Sequence, residues 1–337
     1  VLFGAFPALR SMAPNLLQVL KPAGSSGSVG GAGRRLRESM VVVEVALAVV
    51  LLVVAGLVLR SFERMNQVDP GFNQDGVVSV ALQLPGSRYA RTEWLGFYER
   101  FADRMAGVPG IDKVGGVSDL PMSSVGLGFE QEFTVPGLDS LTTASRANAD
   151  LRLTLPGYFE AMGMQIVDGR TFDRLDNGRD RRIAVVNETL VRRYFKEIDP
   201  VGRTLNLELL GEVDVVVVVA DIRHGGLLAK HESEIYVPYG APIATSEMHL
   251  VMATELSESD VAAATKGVLS DLDPQLAATE VVAVADLLWQ SVARPRFNAT
   301  LLAGLALCAG LLAMVGIYGI VAFTVARRRN EIGVRMA

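Results

Sequence analysis

Two long apolar stretches constrain this chain more than any other feature of it. MVVVEVALAVVLLVVAGLVL, Met40 to Leu59, carries one charge, and LLAGLALCAGLLAMVGIYGIVAFTV, Leu301 to Val325, carries none. At about 1.5 Å per residue each can cross a hydrocarbon core of about 30 Å, the second with some tilt. Helices buried in soluble proteins seldom run so far without polar interruption, so two membrane spans are expected, at 40–60 and 297–326. The first run is too long for the apolar core of a cleaved signal and starts about 40 residues into the chain, so it is expected to stay in the membrane.

The basic residues orient these spans. Arg10, Lys21, Arg34, Arg35 and Arg37 precede the first against Glu38 alone, and Arg327, Arg328, Arg329 and Arg335 follow the second against Glu331 alone. Both flanks read as cytoplasmic, with the arginines at 34, 35, 37 and 327–329 as anchors at the membrane interface. The whole chain has a net charge of −5, so its acidic excess lies between the spans, in a translocated segment of about 240 residues. An acidic exported face excludes nucleic acid as a partner. The single cysteine, Cys308, sits within the second span, so no intrachain disulfide can staple the exported part, which must hold by its own core.

Along the chain, residues 1–21 read as the end of a membrane or interface helix followed by an amphipathic stretch, and 22–39, with PAGSSGSVGGAG, as a flexible basic linker. Those glycines make no phosphate loop, because no Gly-Lys-Ser/Thr follows. Between the spans, GVVSVALQLP predicts a strand and RTEWLGFYERFADRM a helix, with KVGGVSDLP as the next strand. MHLVMATEL, SDVAAATKGVLSDLD and TEVVAVADL repeat the order, with Ser259 as the expected cap of the helix. Two β-α-β halves parted by a long insertion fit a split, ferredoxin-like arrangement. Inside the insertion, LPGYFEAMG predicts a short helix, RIAVVNETLVRRYF a strand running into a helix, and VDVVVVVADI a buried strand, together a small α/β subdomain. The fold class expected is therefore α-helical membrane spans plus an α+β extracytoplasmic domain. LLWQSVARPRFN leads directly into the second span, with Pro295 marking a kink or restart.

Signals for catalysis are weak. His224, His231 and His249 form no metal-binding pattern, no Gly-x-Ser-x-Gly elbow is present, and Asp221 and Arg223 read as turn and salt-bridge residues after the valine run. No cofactor or metal site is indicated, and the chain is expected not to be an enzyme. Glu44, a carboxylate in the first turns of a span, is expected at the cytoplasmic interface or in a helix-packing contact. Ala306 with Gly310 and Ala309 with Ala313 place small residues four apart in the second span, a spacing that lets helices approach closely.

The order of parts, with the phrases EVALAVVLLVVAGLVLRSF, VDPGF, LPGYFEAMG, VVNETLVRRYF, DPVGRTL and YGIVAFTVARRRNEIGVRMA, resembles the permeases of ABC transporters of the MacB/FtsX type, in particular their large duplicated members. The leading LFGAFPALR and LLQVLK resemble the close of a preceding permease half, so the chain is expected to be part of a longer one. The resemblance implies a MacB-like periplasmic core domain over 61–296, a bacterial inner-membrane location with several spans, and a cytoplasmic coupling helix starting at 327–337. In that family the helix meets a separate ATPase dimer, which singles out Glu331, Ile332, Gly333, Arg335 and Met336. It also implies a second permease half or copy, membrane lipids and a periplasmic adaptor as partners. Mechanotransmission follows as the expected mechanism, serving export of amphiphiles, peptides or lipoproteins, or the FtsX-like control of an extracytoplasmic enzyme.

Overall fold

The computed structural model describes residues 29–65, 68–123, 129–137, 147–171, 173–177, 182–196, 198–227 and 229–335. The expected tail at 1–21 and the linker up to residue 28 lie outside the described residues. Two compact units divide the chain, Val58–Thr300 and the segments Val1–Leu57 with Leu301–Ala337.

In chain order the elements are α1 (Val29–Met65), β1 (Val77–Gln83), α2 (Arg91–Ala106), β2 (Ile111–Val117), β3 (Phe129–Thr134), β4 (Ala147–Leu155), α3 (Tyr158–Met162), β5 (Ile166–Gly169), β6 (Ile183–Asn187) and α4 (Glu188–Leu190). There follow β7 (Thr204–Leu207), β8 (Gly211–Val219), β9 (Glu234–Pro238), β10 (Glu247–Thr254), α5 (Glu258–Leu272), β11 (Glu280–Ala283) and α6 (Val284–Arg335).

Within the larger unit, β11, β1, β10 and β2 lie side by side in that order, each antiparallel to its neighbour. The units β1-α2-β2 and β10-α5-β11 therefore interleave, as in a split β-α-β sheet. Helix α2 forms because its apolar residues recur on one face, burying Phe97, Tyr98, Phe101 and Met105 against the sheet, while the Glu93 carboxylate accepts the Ala90 N–H at 2.8 Å and satisfies one orphan donor at its start. Helix α5 is capped by Ser257, whose Oγ accepts the Asp260 N–H at 3.2 Å, and not by the expected Ser259, which already lies in the first turn. Two serines two residues apart offer the same cap chemistry, and the first one takes it.

The insertion between β2 and β10 is richer in β structure than the small α/β subdomain expected. Its strands pair in the ring β4, β3, β7, β8, β6, β9 and back to β4, the last closure being parallel. The valine-rich β8 is paired along both edges, with β6 on one and with β7 and β5 on the other. Closing a sheet into a ring removes its free edges, and that is the physical reason the insertion needs little helix to cover it. Strand β4 also pairs with β2 through Gly116 and Val117, so sheet and ring share one hydrogen-bonded network. They also share one core. Val80 and Leu82 of the sheet and Tyr98 of α2 are contiguous with Leu151, Leu153, Val186, Val215 and Val237 of the ring.

A second core cluster, on the other face, gathers Phe72, Tyr158, Phe159, Met162, Val217, Tyr236 and Val251 with Val284, Leu287 and Leu288 from the first turns of α6. Its assembly depends on two glycines. A Cβ on Gly115 would lie 2.2 Å from the Tyr158 nitrogen, and one on Gly157, at φ +88°, would lie 2.3 Å from the Val114 oxygen. These two residues let β2 and α3 approach backbone to backbone, which explains the glycines in KVGGV and LPGYF. The expected strand TEVVAVADL ends early, at Ala283, because its last residues enter α6.

Helix α6 passes Pro295 without a break. Pro295 lacks the N–H for one bond of the ladder and its ring crowds the preceding turn, and the helix of 52 residues continues through it.

Phe297–Gly319 of α6, most of it in the smaller unit, is the one described segment long and apolar enough to cross a membrane, at 23 residues or about 35 Å. The matching apolar stretch of α1, Val45–Ser61, is shorter, at 17 residues, because the expected span 40–60 is interrupted near its start by Glu44. Residues 29–39, expected as linker, form the opening turns of α1, where the helix-favouring RRLRES outweighs the preceding glycines. Along α6 the less exposed positions are Leu302, Ala306, Ala309, Gly310, Ala313 and Gly316, and along α1 they are Val45, Ala48, Leu51 and Ala55. Each is a single stripe with spacings of three and four, while Leu47, Val50, Val53, Leu305, Leu311, Leu312 and Val315 stand exposed around it.

Candidate functional site

Alternation along β4 builds the most unusual site in the larger unit. Ala147, Ala149, Leu151, Leu153 and Leu155 point into the core, so Asp150, Arg152 and Thr154 point to the opposite face. In an open antiparallel sheet that face meets water. Here it is covered. β9 pairs in parallel with β4, setting Glu234 opposite Asp150 and Tyr236 opposite Arg152, and Asp119, two residues past β2, approaches from the sheet. The loop after β8 supplies His224.

Arg152 is 2% exposed. Its guanidinium forms a short ion pair with Asp119 and reaches Asp150 at 3.4 Å and Glu234 at 3.8 Å. Tyr236 donates to Glu234 in a short hydrogen bond, and His224 Nε2 stands 3.1 Å from Glu234 Oε1 without the alignment of a hydrogen bond. Asn187 braces the start of β9, accepting from the Leu190 and Glu234 N–H groups at 3.0 Å each and donating to the Glu232 carbonyl at 2.7 Å. The loop is tied down where the Met122 N–H donates to the His224 carbonyl at 2.9 Å.

Burial alone would lower the Arg152 pKa, but Glu234 and Asp119 raise it, so the guanidinium stays charged. Burial pushes the Glu234 carboxyl up, and His224, Arg152 and Tyr236 outweigh it and hold the carboxyl below its ordinary value. Asp150 is raised, chiefly by burial and only partly offset by Arg152. Beside these groups lies a cavity of about 200 Å³, lined among others by Asp119, Asp150, Arg152, His224, Lys230 and Glu232.

Asp221 and Arg223 serve as local fasteners. Asp221 accepts from the Thr189 N–H and hydroxyl, each at 2.7 Å, and pairs with Arg192 at 3.3 Å, while Arg223 donates to the Ala229 carbonyl at 2.6 Å. Gly71 of VDPGF, at φ +86°, presses so close to Asp221 that a Cβ would lie 2.3 Å from its carbonyl oxygen. His231 Nδ1 lies 3.3 Å from the Ile222 carbonyl, and His249 sits on β10, its pKa lowered by burial. Among the described residues no group of His, Cys, Asp or Glu is placed to hold a metal ion.

The residues singled out in the membrane segments fall elsewhere. Ala306 and Ala313 are buried, and Ala309 and Gly310 half-buried, on the stripe of α6, and Cys308 is exposed beside it. Arg34, Arg35, Arg37 and Glu44 fall in α1, and Arg327, Arg328, Arg329, Glu331, Ile332, Gly333 and Arg335 in α6, with side chains outside the description. Met336 lies outside the described residues. The ionic cluster escaped the sequence reading, although ANADLRLTL offers a signal in its strict alternation, with Asp150 and Arg152 two apart on one side.

The family model of the MacB-like periplasmic core domain matches residues 40–281. The chain belongs to that family. Among relatives of the MacB-like domain, the macrolide export ATP-binding/permease protein MacB 2 of Aeromonas hydrophila is 24% identical over 196 residues, 53% of this chain and 28% of the relative. The macrolide export ATP-binding/permease protein MacB of Neisseria meningitidis serogroup A is 27% identical over 226 residues, 60% of this chain and 33% of the relative. The chain thus spans about a third or less of the length of these curated relatives, at 33% and 28%. The crystal structure of the periplasmic region of MacB from Actinobacillus actinomycetemcomitans is similar with a TM-score of 0.43 at 15% identity, covering 66% of this chain and 94% of that one. The family match runs from within α1 through the α+β region into β11.

Proposed function

We propose that the chain is the membrane permease component of an ABC transporter, in which a separate ATPase on the cytoplasmic side moves the periplasmic core domain by mechanotransmission. The observation that carries this reading is α6. Its first turns bury Val284, Leu287 and Leu288 in the core of the α+β domain, and the same helix continues through the apolar segment Phe297–Gly319 to Arg335. A helix without a free linker between an anchored end and an apolar segment transmits displacement, whereas a Gly/Ser-rich linker would absorb it. The basic stretch Arg327–Arg329 then sets the cytoplasmic end, and Glu331, Ile332, Gly333, Arg335 and Met336 are the contact for the ATPase.

The domain boundaries follow: a span at 40–60, the core domain at 61–296, a span at 297–326 and the start of the coupling helix at 327–337. Cargo of the amphiphile, peptide or lipoprotein class fits a machine in which nothing passes through a pore between the spans. A second permease half or copy would complete the assembly, and a periplasmic adaptor would take the cargo onward.

Glu331→Cys in the full protein, co-expressed with candidate ATPase subunits, tests this. A crosslink in membranes that changes when ATP is added is the expected result. Absence of a crosslink to any ATPase from a well-inserted protein would leave a membrane-anchored scaffold as the better account.

A further inference from the structure

The helices α1 and α6 are fastened to the α+β domain by different routes, and the routes meet around α3. Leaving α1, the chain is tied to the insertion before it reaches the sheet. The Pro70 carbonyl accepts the Arg223 N–H at 3.0 Å, the Asn73 N–H donates to the Met162 carbonyl of α3 at 2.8 Å, and Phe72 between them is buried in the second core. Three exposed residues, Gln74 to Gly76, then separate these ties from β1. Helix α6 is fastened to the sheet instead. It starts directly after β11, which pairs with β1, and the Ala283 N–H at the junction is accepted by the Glu258 carboxylate of α5 at 2.7 Å. A displacement of α1 relative to α6 therefore acts between ties to the insertion and a seat on the sheet.

Helix α3 lies between them. Its Tyr158, Phe159 and Met162 share the second core with Val284, Leu287 and Leu288 of α6. It has five residues, and at each end stands a glycine in the left-handed region, Gly157 at φ +88° and Gly163 at φ +65°. Glycine leaves the backbone free to rotate at such points, so α3 is a short rigid piece between two pivots. Its contact with β2, at Gly115 and Gly157, is backbone against backbone with no side chain interlocked there. Towards the ring, Phe159 meets the Tyr236 ring edge-on at 5.3 Å and Tyr158 lies 6.3 Å from it. Tyr236 in turn donates to Glu234, which faces Arg152. A tilt of α3 is thus felt at β9, whereas the first core under α2 and α5 lies on the other face of the sheet.

We propose that α3 is the moving part of this domain, a helix on two glycine pivots that converts a relative shift of α1 and α6 into a displacement of β9 while the sheet under α2 and α5 stays fixed. The proposal rests on the reading that motion of the spans drives the domain, but not on what drives the spans.

The unequal apolar stretches supply a test that needs no ATPase. That of α1 has 17 residues, about 26 Å, and that of α6 has 23, about 35 Å, so thickening the bilayer strains α1 before α6 and shifts one against the other. Hydrogen exchange of the full chain is measured in nanodiscs of short-chain and of long-chain phosphatidylcholine. Exchange at residues 158–164 and in β9 should change about fivefold or more between the two, and in α2 and α5 by less than about twofold. Asn73→Pro, at an exposed position, removes the N–H that ties the chain after α1 to α3. It should abolish the response at α3 and leave exchange in α2 and α5 as in the native chain. No change at α3 between the bilayers, an equal change in α2 and α5, or an undiminished response in Asn73→Pro would overturn the proposal. A response at α3 in a chain whose Glu331→Cys variant crosslinks to no ATPase would support it while removing the driver assigned above, so the two readings fail separately.

Discussion

The helix-covered sheet and the closed ring share a core yet secure their outer faces by different physics. In the sheet, α2 and α5 cover one face with aromatic and aliphatic side chains, and its ion pairs lie at the rim, as Arg88 does with Asp273 and Arg104 with Asp271. In the ring, the face of β4 and β9 turned away from the first core carries a buried ionic cluster beside Tyr236 of the second core, and the loop after β8 lies over it. Apolar packing is non-directional and forgiving of small shifts, whereas a buried guanidinium fixes its partners in place and is costly when one is missing. The sheet should therefore lose stability in proportion to volume removed, and the ring in proportion to charge left unpaired.

The largest effect should come from Arg152→Met, which strands Asp119 and Glu234 in a buried site. A loss of about 3–5 kcal/mol is expected, read from denaturant unfolding of the chain in detergent. Adding Asp119→Asn and Glu234→Gln should recover part of that loss, since neutral groups cost less to bury than orphaned charges. If the triple variant is no more stable than the single one, the ring is held by packing and the contrast with the sheet fails. Next comes Met105→Ala in α2, a fully buried side chain on the sheet, where about 2–5 kcal/mol should be lost and no second substitution of a charged group should restore it.

The smallest effect belongs to the rim. Asp273 is held down at about 2 by hydrogen bonds from Arg88 and Tyr89, against an ordinary value of 3.8. A depressed carboxyl stabilises the fold above its unfolded pKa and loses that contribution as pH falls through the folded one. Thermal midpoints measured from pH 5 to pH 2 should fall in the native chain, and Asp273→Asn should remove a small part of that slope. Arg88 is exposed, so added salt should shrink the difference further.

How much of this was legible follows from what each element reports about its surroundings. The strands and helices of the split sheet announce themselves, because an amphipathic period such as Trp94, Leu95, Tyr98, Phe101, Ala102 and Met105 needs only one covered face to be read. The valine run of β8 reads as a buried strand for the same reason. Ring closure does not. It depends on β4 meeting β9, two segments that are unremarkable alone and 84 positions apart where Asp150 faces Glu234. The alternation in ANADLRLTL is visible, but local sequence says that Asp150 and Arg152 face water. Only tertiary context reverses this. The phrases shared with MacB/FtsX-type permeases turned out to mark tight backbone approaches and braces, Gly71 against Asp221, Gly157 against Val114 and Asn187 against Glu234, and not the ionic cluster itself.

The pairing of distant strands also has a cost in time. Synthesis proceeds at roughly 5–20 residues per second, so β4 exists for about 4–17 s before β9 can follow it, and Val77 waits longer still for Ala253. Throughout that interval the nascent domain exposes unpaired strand backbone and half a core. A chain built this way depends on whatever shields it while it is unfinished, and its yield on expression should respond to the rate of synthesis more sharply than its final stability would suggest.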